Sequence, residues 1–279
     1  PPTWNSGFPV DWAFYKYSNQ SNEWAVGTRL MPRGKLVLNT NAAESTDTSH
    51  VFDYMNGWLD NTGTLSTLYS WMFKRAPGFF DVVAFTGNNT ARTISHNLEA
   101  VPELMIVKDR SRSEEWMVYS ATTGANKWLR LHTNDSELND SQGDMWGGTT
   151  PTSSVFSLGN SSNTNHNGSN IIAYLFSSLS GISKVGSYTG TGYDINVDCG
   201  FTSGARFVLI KRTDANGNWM VYDTSRGIVS GNDPYLRLNS TQQETTDEDH
   251  IDPLSSGFTV TTHSDVNTNG GTYLFLAIA

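Results

Sequence analysis

A single cysteine, Cys199, in 279 residues rules out an intramolecular disulfide, a CxxC redox pair and a cysteine-based zinc site. Basic residues are scarce as well. The 18 Lys and Arg stand against 27 Asp and Glu, a formal net charge of −9, and no basic run exceeds the pair Lys211-Arg212. Nucleic-acid surfaces cluster cations against phosphate, so the sequence predicts no nucleic-acid partner. Long hydrophobic runs are missing too. FVLI at 207–210 and YLFLAIA at 273–279 fall far short of the roughly 18 residues that a spanning helix needs, so no membrane insertion is expected. No GxSxG elbow, HExxH pair or Walker-type GxxxxGK occurs. The six histidines, 50, 96, 132, 166, 250 and 263, lie mostly in polar loops without metal-ligand spacing. A non-enzymatic protein without a cofactor is the expectation. The opening PPTWNSGFP reads as the interior of a longer polypeptide.

What the chain has instead is 25 Gly, 12% aromatic residues and abundant Asn, Ser and Thr, a composition of strands joined by turns. It also repeats. An extended run, a polar turn and a tryptophan recur as VDWAFYKYSNQSNEWAVG, PELMIVKDRSRSEEWMVY and ARFVLIKRTDANGNWMVY. Each tryptophan follows a lysine by eight positions: Lys16 and Trp24, Lys108 and Trp116, Lys211 and Trp219. A second shared strand follows in KLVLNT, WLRLHT and YLRLNS, with apolar and polar residues alternating. Six and nine residues beyond Leu38, Leu131 and Leu238 stand Glu44 and Asp47, Glu137 and Asp140, Glu244 and Asp247. An apolar strand closes each unit: LYSWMF, IIAYLF and YLFLAI.

These landmarks predict an all-β protein of three related antiparallel β-sandwich or jelly-roll-like units, covering 1–78, 79–181 and 182–279. They would be packed in series or around a pseudo-symmetry axis. The first unit lacks the opening hairpin that VVAFTGNNTARTISH and VGSYTGTGYDINVDCGF give the others, so it is truncated at its N-terminus. YLFLAIA is apolar on both faces and should be a central strand covered on both sides. The best helix candidate is the stretch NTNAAESTD after Leu38, where Thr40 or Asn41 would cap a turn or two.

With these segments assembled, the chain resembles a repeat of bacteriophage tail-fibre and receptor-binding structural proteins of marine-phage type. AFTGNNTARTISHNLEAVPELMIVKDRS with WMVY, and VGSYTGTGYDINVDCGFTSGARFVLIKRTDANGNWMVYDTSRGIVSGNDPYLRLNS with IDPLSSGFTV and GGTYLFLAIA, carry the likeness, most strongly over 79–279. The resemblance implies a component of the virion exterior, in a tail fibre or appendage. It implies a homotrimer, other virion proteins as partners, contact with a host-surface glycan, and no catalytic residues.

Candidate chemistry divides into three groups. Lys16, Lys108 and Lys211 with their tryptophans either form sugar-stacking platforms or anchor the core, the lysine covering the indole with its methylene stem. The acidic pairs Glu44 and Asp47, Glu137 and Asp140, Glu244 and Asp247 are weak calcium candidates, paired carboxylates of a glycan depolymerase, or turn formers. In two units a histidine, His50 or His250, follows the aspartate by three. Trp4, Trp12, Trp58, Trp128 and Trp146 do not recur in every unit, and either individualise the scaffold for a ligand or fill contacts between units or between subunits. Cys199, at a strand end, reads as an inert buried thiol.

Overall fold

The computed structural model describes residues 2–62 and 67–279. It is 41% strand and 3% helix, which settles the fold class as all-β with several antiparallel sheets. Strands pair within three stretches of the chain, and each stretch makes one large and one small sheet. In the first, the large sheet runs Leu68–Phe73, Trp12–Tyr17, Ala25–Thr28, Gly34–Val37, Ser45–Thr46, and the small one Trp4–Asn5, Gly57–Asp60, His50–Val51. In the second, the large sheet runs Phe80–Thr86, Asn170–Phe176, Leu104–Asp109, Met117–Ser120, Lys127–Arg130, Leu138–Asn139, over the pair Arg92–Ser95 and Val155–Leu158. In the third, Ser183–Thr189, Thr272–Ile278, Phe207–Arg212, Trp219–Asp223 and Leu236–Arg237 lie over Ile195–Asp198, Gly257–Val260 and Ile251–Leu254.

The three large sheets share one core. Trp12 and Phe14, Leu104 and Ile106, Phe207 and Leu209 point into it from the three equivalent strands, joined by Trp24, Trp116 and Trp219. Alternate residues of the same strands point outward. Tyr15, Val107 and Ile210 lie in three separate outer cores, each between a large sheet and its small partner. Side chains alternate along a strand, so a strand buried on both faces must be apolar throughout. That explains the runs LMIV, FVLI and IIAYLF. It also places the C-terminal strand: Leu274 and Leu276 face the shared core, Tyr273, Phe275 and Ala277 the outer one. A void of about 20 Å³, lined by Trp12, Phe73, Leu131, Leu238 and neighbours from all three units, lies within the shared core.

The missing hairpin of the first unit is half present. Trp4–Asn5 pairs with Gly57–Trp58 as Arg92–Ser95 and Ile195–Asp198 pair with their partners, so the hairpin's second strand is there. Among the described residues no strand flanks Leu68–Phe73 on its outer side, where Phe80–Thr86 and Ser183–Thr189 flank the equivalent strands. A groove of about 450 Å³, lined by Tyr69, Trp71, Phe73, Ile182 and Phe207, lies there.

The helix expected after Leu38 does not form. Asn39 Oδ1 accepts from the Trp24 N–H, Thr40 Oγ1 from the Ala42 N–H, and the Glu44 N–H donates to Arg110 O. These bonds go to a local side chain or to other segments, and none closes a helical turn. Among the described residues the two single-turn helices are Ser162–Asn165 and Ser264–Asn267, capped by Ser161 and His263. Each ends in a buried asparagine that holds the opening hairpin. Asn165 Nδ2 donates to Gly159 O and Thr90 O, and Asn267 Nδ2 to Thr261 O and Tyr193 O. The backbone approaches so closely beside them that a Cβ at Gly87 would lie 2.0 Å from His166 O, and one at Gly190 2.2 Å from Thr268 O. Replacing Asn267 by Ala should therefore cost about 2 kcal/mol, since it strands the buried carbonyl of Thr261. Urea unfolding of the variant measures this, and an unchanged midpoint would refute it.

Candidate functional site

The residues common to all three units meet at the seams between them. Trp24 donates its indole N–H to Arg237 O of the third unit at 3.0 Å, Trp116 to Val37 O of the first at 2.9 Å, and Trp219 to Arg130 O of the second at 2.9 Å. Four residues beyond each of those carbonyls, another accepts from the lysine of the same donor unit. Lys16 Nζ reaches Thr241 O, Lys108 Nζ Asn41 O, and Lys211 Nζ Asn134 O. A return bond completes each seam: the backbone N–H of Glu244 donates to Ser18 O, that of Glu44 to Arg110 O, and that of Glu137 to Thr213 O. The set is cyclic. First binds third, third binds second, second binds first. The spacings shared by the units, lysine to tryptophan and leucine to glutamate, are those of this one three-bond pattern.

This geometry corrects the reading of the lysines as ligand-binding groups. Lys16, Lys108 and Lys211 are fully buried. Lys16 and Lys211 do lie 5.7 and 6.0 Å from the centroids of Trp24 and Trp219, yet their hydrogens go to carbonyls. Burial lowers Lys16 and Lys108 to about 8 and Lys211 to about 7. Acceptor number matches the order. Lys16 and Lys108 each have three acceptors, enough for an ammonium, while Lys211 has two, Asn134 O and Gly217 O, as a neutral amine requires.

Three of the five non-recurring tryptophans are also interior, so they too are withdrawn from any ligand. Trp12 lies in the shared core, and Trp58 and Trp146 in outer cores, the latter two donating to Ser70 Oγ and Lys127 O. Trp4, stacked on Trp58 at 6.0 Å, and Trp128, with the Arg130 guanidinium 4.9 Å from its ring, keep part of their surface in solvent.

The acidic pairs do not converge on a cation. Glu44 binds Arg110 at 2.6 Å, Glu137 binds Lys127, and Glu244 lies 3.3 Å from Arg226. Asp47 binds His50 at 2.6 Å, and Asp140 accepts from the N–H groups of Asp144 and Met145. Asp247 is exposed. Glu137 and Asp140 are thus committed to separate structural partners, which opposes a catalytic pair. Cys199 is free and buried, and burial lifts its thiol to about 12, so it stays protonated at neutral pH.

One cluster escaped the sequence. Among the described residues, Glu248, His250, His263 and Asp265 bring four ligand-type atoms within 4.8 Å of one another. His250 Nε2 lies 3.2 Å and His263 Nε2 3.8 Å from Glu248 Oε2. Tyr222 and His250 Nδ1 share a 2.6 Å hydrogen bond, and the Tyr235 hydroxyl donates to Glu248 Oε2 at 2.5 Å. Burial lowers His250 to about 4, and the Tyr235 hydrogen bond holds Glu248 below the usual carboxylate range. At neutral pH the imidazole is uncharged and the carboxylate ionised. The only sequence signal was His250 itself; Glu248 stands two residues before it, but His263 and Asp265 lie across the Ile251–Leu254 and Gly257–Val260 hairpin, which no short motif spans.

A closed, single-chain arrangement of three sandwiches around one core is the class that this geometry defines. The chain belongs to the family described as a domain of unknown function, DUF7483, which it matches over residues 57–279. No curated protein and no solved structure matches it.

Proposed function

We propose that the chain is a non-enzymatic structural and adhesion module of a phage tail fibre or appendage, displayed on the virion exterior and contacting host-surface glycans multivalently. The observation that carries this reading is the use of the shared residues. Lysine, tryptophan and glutamate recur in each unit to close the seams, which leaves the outward loops and the partly exposed Trp4 and Trp128 free to differ. A rigid scaffold with variable edges suits recognition, because the ring pays no ordering entropy on contact. The fibre resemblance of 79–279 supplies the setting, and homotrimerisation follows from that resemblance alone.

An array of bacterial lipopolysaccharides and capsular polysaccharides, probed with the chain coupled to beads, tests the reading. Coupling matters because weak sites gain roughly 10²- to 10⁴-fold in avidity when several engage together. Retention by at least one glycan, lost in Trp128→Ala with the unfolding midpoint kept, is the expected result. No retention would leave a purely architectural spacer or decoration subunit. Shortened glycans, abolished by Glu137→Gln, would mean a depolymerase.

A further inference from the structure

We propose that Glu248, His250, His263 and Asp265 bind one divalent transition-metal ion, of zinc type, on the outer layer of the third unit. Two observations carry it independently. The first is convergence: four nitrogen and oxygen donors within 4.8 Å of one another. Tetrahedral zinc holds its ligands at about 2.0–2.2 Å, which sets donor atoms about 3.4 Å apart, and the 3.2 and 3.8 Å separations here bracket that value. The second is an unmet polar atom. The His250 side chain is completely buried, and its Nε2, although 3.2 Å from Glu248 Oε2 and facing the cluster, makes no aligned hydrogen bond to that oxygen or to any other group. Buried ring nitrogens are almost always paired, and an ion between Nε2 and Glu248 satisfies both.

The surroundings fit the same ion. Ligation through Nε2 puts the remaining proton of His250 on Nδ1, where the Tyr222 oxygen, 2.6 Å away, accepts it. Metal-bound histidines characteristically anchor their second nitrogen in this way. Tyr235 orients the carboxylate of Glu248 by the same logic. His263 gives up a long contact, 3.3 Å from the Asp265 N–H to Nδ1, to ligate through Nε2. Two imidazoles favour zinc, nickel or copper over calcium and magnesium, which prefer oxygen alone. The ion would join the segment entering Ile251–Leu254 to the cap and first turn of Ser264–Asn267. Among the described residues the other units lack this arrangement: the charged groups beside His50 are Asp47 and Asp60, and Gly143 stands at the corresponding place in the second unit.

Calorimetric titration of the chelator-treated full chain with zinc chloride, and separately with calcium and magnesium chloride, tests the proposal. His263→Asn is the variant of choice, because an asparagine oxygen still caps the helix while the ligand nitrogen is gone. One zinc per chain, a thermal midpoint raised by several degrees, and at least about tenfold weaker binding in His263→Asn and Asp265→Asn are expected. The unloaded variants should unfold where the unloaded parent does. Cobalt(II) should give the intense visible absorption of a tetrahedral site. Absence of saturable zinc binding, equal affinity in both variants, or calcium binding as tight as zinc would overturn it.

Discussion

Trp219→Ala should destabilise the protein by about 3–5 kcal/mol, the range for deleting a fully buried large aromatic. The indole fills the shared core and donates to Arg130 O across a seam, so the variant loses packing and strands a carbonyl at once. At about 2–4 °C per kcal/mol for chains of this size, the thermal midpoint should fall by roughly 6–20 °C. The manner of unfolding is equally diagnostic. Because the three large sheets share a core, tryptophan fluorescence and far-ultraviolet circular dichroism should report a single coincident transition. Early melting of the third unit, with the other two intact, would contradict a common core.

Lys211→Met should remove one lysine's share of a pH dependence that the parent shows. Burial sets Lys211 at about 7 in the folded state, against about 10.4 for an unfolded lysine. Between those values the unfolded chain binds the extra proton, so stability rises with pH there and the contribution is lowest below pH 7. One such group changes stability by at most about 1.4 kcal/mol per pH unit, on the order of 4 kcal/mol across the window. Lys16 and Lys108, near 8, add slopes of the same sign over a narrower range. Subtracting the methionine variant's urea-unfolding free energy from the parent's at pH 6.5, 8 and 9.5 isolates the Lys211 share. The difference should climb in the parent's favour. Parallel curves would place the ammonium in a solvated setting and break the account of the seam.

Much of this architecture is written in local pattern. Alternation and turn residues mark the strands, and the runs LMIV, FVLI and IIAYLF announce strands covered twice, because both faces of a strand are visible in a single line of sequence. The repeat spacing is visible as well. What those spacings serve is not, since the partner of Lys16 lies 225 residues away at Thr241 and that of Trp116 79 residues back at Val37. Eight residues from lysine to tryptophan place the two side by side in the hairpin, as with Lys211 opposite Trp219, but the spacing does not show that their polar ends also reach the next unit. Capping residues misled for a related reason. Thr40 has the side chain of a helix start, but its neighbours' backbone groups bond across a seam, an option that helix propensity does not register. The histidine cluster is the extreme case. Its donors come from two turns that a hairpin folds together, and only His250 stood in a recurring position.

The third-to-first seam differs from the other two in one respect: no peptide segment crosses directly from one unit to the next there. Residues 74–79 lead from the first sandwich to the second and residues 177–182 from the second to the third, and neither crosses the seam between the third and the first. The bonds of Trp24, Lys16 and Glu244 nevertheless follow the pattern of the two seams that a linker spans. Covalent continuity is therefore a tether that raises local concentration, and the geometry is specified by surfaces alone. A single sandwich bearing both halves of the seam, copied by rotation as three unlinked polypeptides, would meet the same bonding requirements.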